Sequence, residues 1–169
     1  ESAPSRIHVL CNRLRTCVNP LCIPKRLLLY GPAGSGKTTL AVAMAVYTGR
    51  GYHVVHAPAV GDEYQNSGAQ DMVELAQCVA HIFEPTVIII DEITSITRDY
   101  GEKNNHESKT TEALWLAIDA CEQNPNVFLV ATTNYLDKLP AQIRDRFRGA
   151  TVEIKEPTRD QRITLIRSY

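Results

Sequence analysis

Apolar residues follow two rhythms along this chain. Three short runs are apolar at successive positions: Leu27-Leu28-Leu29-Tyr30, Val87-Ile88-Ile89-Ile90 and Val127-Phe128-Leu129-Val130-Ala131. Unbroken runs of this kind suit strands buried on both faces, as in a parallel sheet. Between them, apolar residues recur at helical spacing. Leu40, Met44 and Tyr47 predict a helix over 39–47 that stops before Gly49. Met72, Leu75, Ala76, Val79, Ile82 and Phe83 predict a second, opened by a capping box at Ser67 and Gln70 and ended by Glu84-Pro85. All six are assigned to the core. A third helix over 108–122 turns Leu114, Ile118 and Cys121 inward, with Trp115 off that stripe and read as an ordinary half-buried tryptophan rather than a contact to a neighbouring subunit. His53 to Ala57 predicts a strand ended by Pro58, and Thr151 to Ile154 alternates like a strand near a sheet edge. Thr158 to Gln161 forms another capping box, opening a helix with Ile163 and Ile166. Residues 1–23 carry only a hint of helix (Ile7, Val9, Leu10, Leu14), broken by Pro20 and Pro24. Strands alternating with helices predict an α/β fold, a parallel sheet between helical layers.

The chemistry lies where the strands end. Residues 31–38 read Gly-Pro-Ala-Gly-Ser-Gly-Lys-Thr, between the first apolar run and the first helix. Gly, four residues, then Gly-Lys-Thr is a phosphate-binding loop when strand and helix flank it in this way. Its backbone N–H groups turn inward as an anion nest, backed by the positive end of the following helix. Lys37 adds a charge for the outer phosphates, and the Thr38 hydroxyl suits Mg2+. The loop alone leaves kinases, GTPases and ATPases open.

The second apolar run ends in Asp91-Glu92. Asp91 is placed to hold the metal, and Glu92 to polarise a water as general base. A small-molecule kinase does not need that second carboxylate, whereas a hydrolase does. The plainer reading is an acidic helix start. The third run leads into Thr132-Thr133-Asn134, where Asn134 can reach a terminal phosphate or an attacking water. Arg144, Arg146 and Arg148 follow, three arginines within five positions, which elsewhere would read as solvated surface.

Together these residues resemble an AAA+ ATPase module, closest to the AAA subfamily of protein-remodelling ATPases. The likeness runs from about Pro24 to the end of the chain, through Tyr30 to Thr38, Ile88 to Ile93 and Ala131 to Asn134, with Arg144 and Arg146. It implies a three-layer P-loop NTPase sandwich with five parallel strands in the order 5-1-4-3-2, which brings all three strand-end motifs to one edge. It also implies roles. Gly31, Pro32, Ala33, Gly34, Ser35, Gly36, Lys37, Thr38 and Thr39 would surround the nucleotide as Walker A. Thr38 and Asp91 would hold Mg2+, with Asp91-Glu92 as Walker B and Asn134 as sensor 1. Arg144 or Arg146 would be the arginine finger acting on a neighbour's nucleotide. Many members read Arg-Pro-Gly-Arg-Phe there, whereas this chain reads Arg144-Asp145-Arg146-Phe147, one residue shorter, and Arg148 is a third candidate.

The same resemblance divides the chain into a leading helix or linker (1–23), the α/β ATPase subdomain (24–157) and the start of a helical lid (158–169), within which the chain stops. Nucleotide binding and assembly are expected to be weak without the lid. ATP/ADP and Mg2+ are the implied cofactors. The implied partners are further copies in a ring, expected to be a hexamer, and a macromolecular substrate, expected to be protein. Tyr64 falls near the family's pore-loop aromatic, but Gln65 and Asn66 replace the apolar residue and glycine that usually follow. The alternatives are a DNA-loading or initiator module, a low-turnover nucleotide-gated scaffold and, last, a metabolite kinase.

Composition narrows these further. A chain of 169 residues holds one domain with a sizeable core, and 44% hydrophobic with 22% charged residues is ordinary for a globular protein. A net charge of −1 gives no whole-domain case for nucleic acid or an acidic membrane. Arginines gather between Arg6 and Arg26, read as unassigned surface, and in the last thirty or so residues, read as subunit interface. Five cysteines without a Cys-x-x-Cys pair predict reduced thiols in an intracellular compartment. Cys11, Cys17 and Cys22 could hold a metal but read more simply as small apolar residues. No run is long enough to cross a membrane. The start at Glu1, without Met or a signal segment, fits an excised fragment.

Overall fold

A computed structural model describes residues 3–16, 25–56, 67–96 and 106–168. Helix α1 (Ala3–Thr16) leads into strand β1 (Arg26–Tyr30), helix α2 (Lys37–Tyr47) and strand β2 (Gly51–His56). Helix α3 (Ser67–Val79), strand β3 (Thr86–Asp91), helix α4 (His106–Gln123) and strand β4 (Val127–Thr133) follow. Helix α5 (Ala141–Arg146), strand β5 (Thr151–Glu153) and helix α6 (Arg159–Ser168) complete the order. Short 3-10 turns at Ile93–Ser95 and Leu136–Lys138 follow β3 and β4.

The five strands form one parallel sheet in the order β2-β3-β4-β1-β5, the expected order read from the other edge. Strand β4 therefore lies between β1 and β3, with Tyr30 level with Thr133 and Ile90 level with Ala131. The ends of β1, β3 and β4 come out side by side, which is what brings the three motifs together.

Successive strand residues face opposite ways. Leu28, Ile88, Ile90, Leu129 and Ala131 pack on one side with Met72, Val79, Leu114, Ile118 and Phe147 from α3, α4 and the end of α5. Leu27, Leu29, Val87, Ile89 and Val130 pack on the other with Met44 of α2 and Ile7, Cys11 and Leu14 of α1. The spacing 7, 11, 14 is one helical stripe, so α1 is a full member of this layer while Val9 on its outer side stays half exposed.

Several expectations need correction. Helix α3 ends at Val79, five residues before Glu84, and Phe83 is 82% exposed rather than core. Asn124 is the physical reason: its side-chain amide donates to the carbonyls of Val79 (2.7 Å) and Ile82 (3.0 Å), closing the helix and turning the chain toward β3. Helix α3 begins at Ser67, and the Gln70 amide donates forward to Glu74 Oε1 (3.5 Å). Helix α2 starts at Lys37, and its buried stripe is Ala41, Met44 and Ala45, with Tyr47 48% exposed. The second capping box forms as expected: the Thr158 N–H donates to Gln161 Oε1 (2.9 Å) and the Gln161 N–H to Thr158 Oγ1 (3.4 Å). Cys17, Cys22 and Tyr64 lie outside the described residues.

Candidate active site

The phosphate loop starts with a steric demand. Gly31 has φ +152°, and a Cβ there would sit 2.0 Å from the carbonyl oxygen of Ile154, just past β5. Only glycine fits against that backbone. Its N–H donates to the Thr133 carbonyl (3.3 Å), tying the loop to the end of β4. At the other end Gly36, with φ +86°, takes the left-handed turn that launches α2.

Lys37, the first residue of α2, is only 6% exposed. Its ammonium donates to the carbonyls of Gly31 (3.0 Å) and Pro32 (2.8 Å) and to Asn134 Oδ1 (2.7 Å). Burial pushes its pKa below the usual lysine value, while the charges of Glu92 and Asp91 pull it back up. A buried cation bridging its own loop and the end of β4 is placed for phosphate oxygens, which can take over from those carbonyls as acceptors.

The Thr38 hydroxyl donates to Asp91 Oδ1 at 2.5 Å, and the Thr132 hydroxyl donates to the same oxygen at 2.7 Å. Burial by itself would raise the Asp91 pKa; these two hydrogen bonds and nearby His56, whose Nδ1 lies 3.5 Å from Oδ2, hold it below its ordinary value instead. Asp91 is thus kept ionised. Thr38 and Asp91 present two hard oxygens side by side at the mouth of the loop, a donor set that fits Mg2+ completed by phosphate and water oxygens.

Glu92 is the one non-glycine residue with positive φ among the described residues (φ 54°, ψ 56°). Holding a glutamate in that region costs about 1–3 kcal/mol. The turn swings its carboxylate over the end of β4. Asn134 Nδ2 donates to Glu92 Oε2, and the Asn134 N–H lies 3.4 Å from Oε1. One amide thus joins the lysine to the glutamate, accepting from Lys37 and donating to Glu92.

The three arginines differ. Arg144 is exposed, with no side-chain hydrogen bond or ion pair among the described residues. Arg146 turns back onto α4, pairing with Asp119 and lying 5.0 Å over the Trp115 ring. Arg148 is exposed and pairs with Asp145 at 3.1 Å. Sequence reasoning missed Asp119, 27 residues from Arg146, and His56, which no strand-end motif marks. It also passed over the hydroxyls of Thr94, Thr132 and Thr133, although Thr132-Thr133 sits directly before Asn134.

A glycine-framed anion loop, a buried lysine, a metal-suited hydroxyl–carboxylate pair and a second carboxylate beside them define a P-loop nucleoside-triphosphate hydrolase. Comparison with known proteins agrees. Residues 27–153 match the ATPase family associated with various cellular activities (AAA). The proteasome-activating nucleotidase of Sulfurisphaera tokodaii is 34% identical over 151 residues, covering 86% of this chain and 38% of that protein. The ATP-dependent zinc metalloprotease FtsH 3 of Sphaerobacter thermophilus is 31% identical over 150 residues, covering 87% and 30%. Among solved structures, the FIGL-1 AAA domain in complex with ADP superposes with a TM-score of 0.76 at 22% identity, over 98% of this chain and 56% of that one. At that identity the likeness establishes the fold.

The chain belongs to the AAA ATPase family. It spans less than two fifths of the length of these two curated relatives.

Proposed function

We propose that this chain is the motor module of a ring-forming ATPase that remodels protein substrates. The observation that carries this reading is the continuous bridge Lys37–Asn134–Glu92 beside the Thr38–Asp91 pair. It couples what binds a terminal phosphate to what activates water. Lys37 and the loop N–H groups bind the phosphates. Thr38 and Asp91 would hold Mg2+, which would supply charge neutralisation at the phosphate oxygens. Glu92 takes a proton from the attacking water, and Asn134 aligns that water with the phosphate.

Arg144 supplies the finger. Of the three candidates it is the exposed one without a side-chain partner among the described residues, whereas Arg146 is held within its own chain. A finger working on the next copy's nucleotide requires assembly, and a hexameric ring is the assembly proposed. The relatives support a protein substrate: one is named as proteasome-activating and one as an ATP-dependent metalloprotease. Residues 24–157 then form the ATPase subdomain, and α6 opens a helical lid, presenting exposed Ile163 and Ile166. The site lies in a reducing, intracellular compartment, in keeping with free Cys11, Cys78 and Cys121. Among the described residues no helix is long and apolar enough to cross a membrane.

The test is phosphate release by the full-length protein, with and without an unfolded protein. Stimulation by the polypeptide, lost in Glu92→Gln with nucleotide binding retained, supports the proposal. Stimulation by duplex DNA instead, weakening steeply with salt, would transfer the reading to a DNA-loading module.

A further inference from the structure

The Glu92 carboxylate is held from a second direction, by hydroxyls that the reaction outlined above leaves unused. Thr94, in the 3-10 turn after β3, is 2% exposed, and Thr133, at the end of β4, is fully buried. Thr94 Oγ1 lies 2.5 Å from Glu92 Oε1 and 3.0 Å from Thr133 Oγ1. The Tyr135 backbone N–H donates to Thr133 Oγ1 at 3.0 Å.

The direction of this chain follows from chemistry. A backbone N–H only donates, an ionised carboxylate only accepts, and each hydroxyl has one proton to give. Tyr135 N–H therefore donates to Thr133, Thr133 donates to Thr94, and Thr94 donates to Glu92 Oε1. Hydrogen bonds aligned head to tail in a low-dielectric interior strengthen one another.

We propose that Thr94 and Thr133 are positioning residues for the general base, forming a buried hydroxyl relay that pins Oε1 and leaves Oε2 to accept the proton from water. The two oxygens of Glu92 thereby acquire different tasks. Oε1 is anchored by the fixed relay. Oε2 is met by the Asn134 side chain, which also binds Lys37 and can release it when phosphate oxygens engage both residues. The left-handed backbone at Glu92 aims the side chain, and the relay stops it rotating. Strand β4 thus supplies both the Asn134 contact and the origin of the anchor, so both must move together with that strand. The assignment rests on the reading of Glu92 as the base.

The experiment is Thr94→Val, Thr94→Ser and Glu92→Gln in the full-length protein, measuring kcat, nucleotide Kd and thermal midpoint. Valine keeps the shape and removes the donor; serine keeps the donor. A hydrogen bond to a charged group predicts that Thr94→Val lowers kcat by about ten- to a hundredfold. Nucleotide Kd should stay unchanged, Thr94→Ser should recover the activity, and Thr94→Val should add no further loss in the Glu92→Gln background. If Thr94→Val turns over like the parent while Glu92→Gln is inactive, the relay is refuted and the base stands. If Thr94→Val weakens nucleotide binding, or Thr94→Ser fails to recover activity, Thr94 is only structural and the relay is again refuted. If Glu92→Gln keeps full turnover, the base assignment falls and the relay with it.

Discussion

The ends of β3 and β4 and the arginine segment of α5 are built on opposite plans. At the strand ends, functional side chains are tied to partners from other elements: Lys37 to Asn134, Thr38 to Asp91, Thr132 to Asp91, Asn134 to Glu92. In α5 the second arginine is tied down and the first is exposed. The difference separates what one chain completes alone from what it offers to another. The groups proposed to bind nucleotide are prearranged within the chain, whereas the exposed Arg144 is proposed to act on a neighbour's site.

Arginine replacement tests this contrast most directly. Arg144→Ala in the full-length assembly should lower turnover by a factor of roughly 10³ or more, by analogy with GTPase fingers. Its nucleotide affinity and its fold should be unaffected. Arg146→Ala should do the reverse in kind. It breaks a part-exposed pair with Asp119 and a stacking contact on Trp115, so stability falls by about 1 kcal/mol. Equal losses of turnover without any change in thermal midpoint would erase the distinction between the two residues.

An effect smaller than the Arg144 loss of turnover is expected at the loop itself. Gly31→Ala forces a methyl group into the Ile154 carbonyl and should destabilise the fold by about 2 kcal/mol or more, read from urea unfolding. A variant as stable as the parent would mean that the end of β5 yields easily.

The smallest effect concerns acid. Asp91 titrates below its ordinary value of 3.8 in the folded chain, so its contribution to stability is complete above that value. It is lost as pH falls further, through the folded pKa. The stability gap between parent and Asp91→Asn should therefore be widest near neutrality and shrink below about pH 4. A gap that grows in acid would reverse the assigned shift.

Much of this was legible in the chain. Val87 to Ile90 is apolar on both faces because β3 is central and covered on both sides. Gly31 to Thr38, Asp91, Glu92 and Asn134 stood out because the proposed phosphate chemistry needs those residue types next to strand ends, and the fold brings them together there. What stayed hidden is the layer that holds them. Thr94, Thr132 and Thr133 look like ordinary residues at the ends of β-strands, and nothing local says where a hydroxyl points. Arg146 could not be told from Arg144 until α5 was seen against Asp119 of α4. Phe83 read as core because helical periodicity carries no notice of an asparagine, Asn124, that captures carbonyls some forty residues upstream in sequence.

The backbone at position 92 has one more implication. A glutamate there keeps a conformation that glycine and asparagine enter more readily. With Glu92 as the proposed base, the folded state gives up a little stability to keep it in that conformation. A descendant released from that duty could substitute Gly or Asn at 92 and gain robustness, so a silent copy of this module would be recognisable by sturdiness as much as by inactivity.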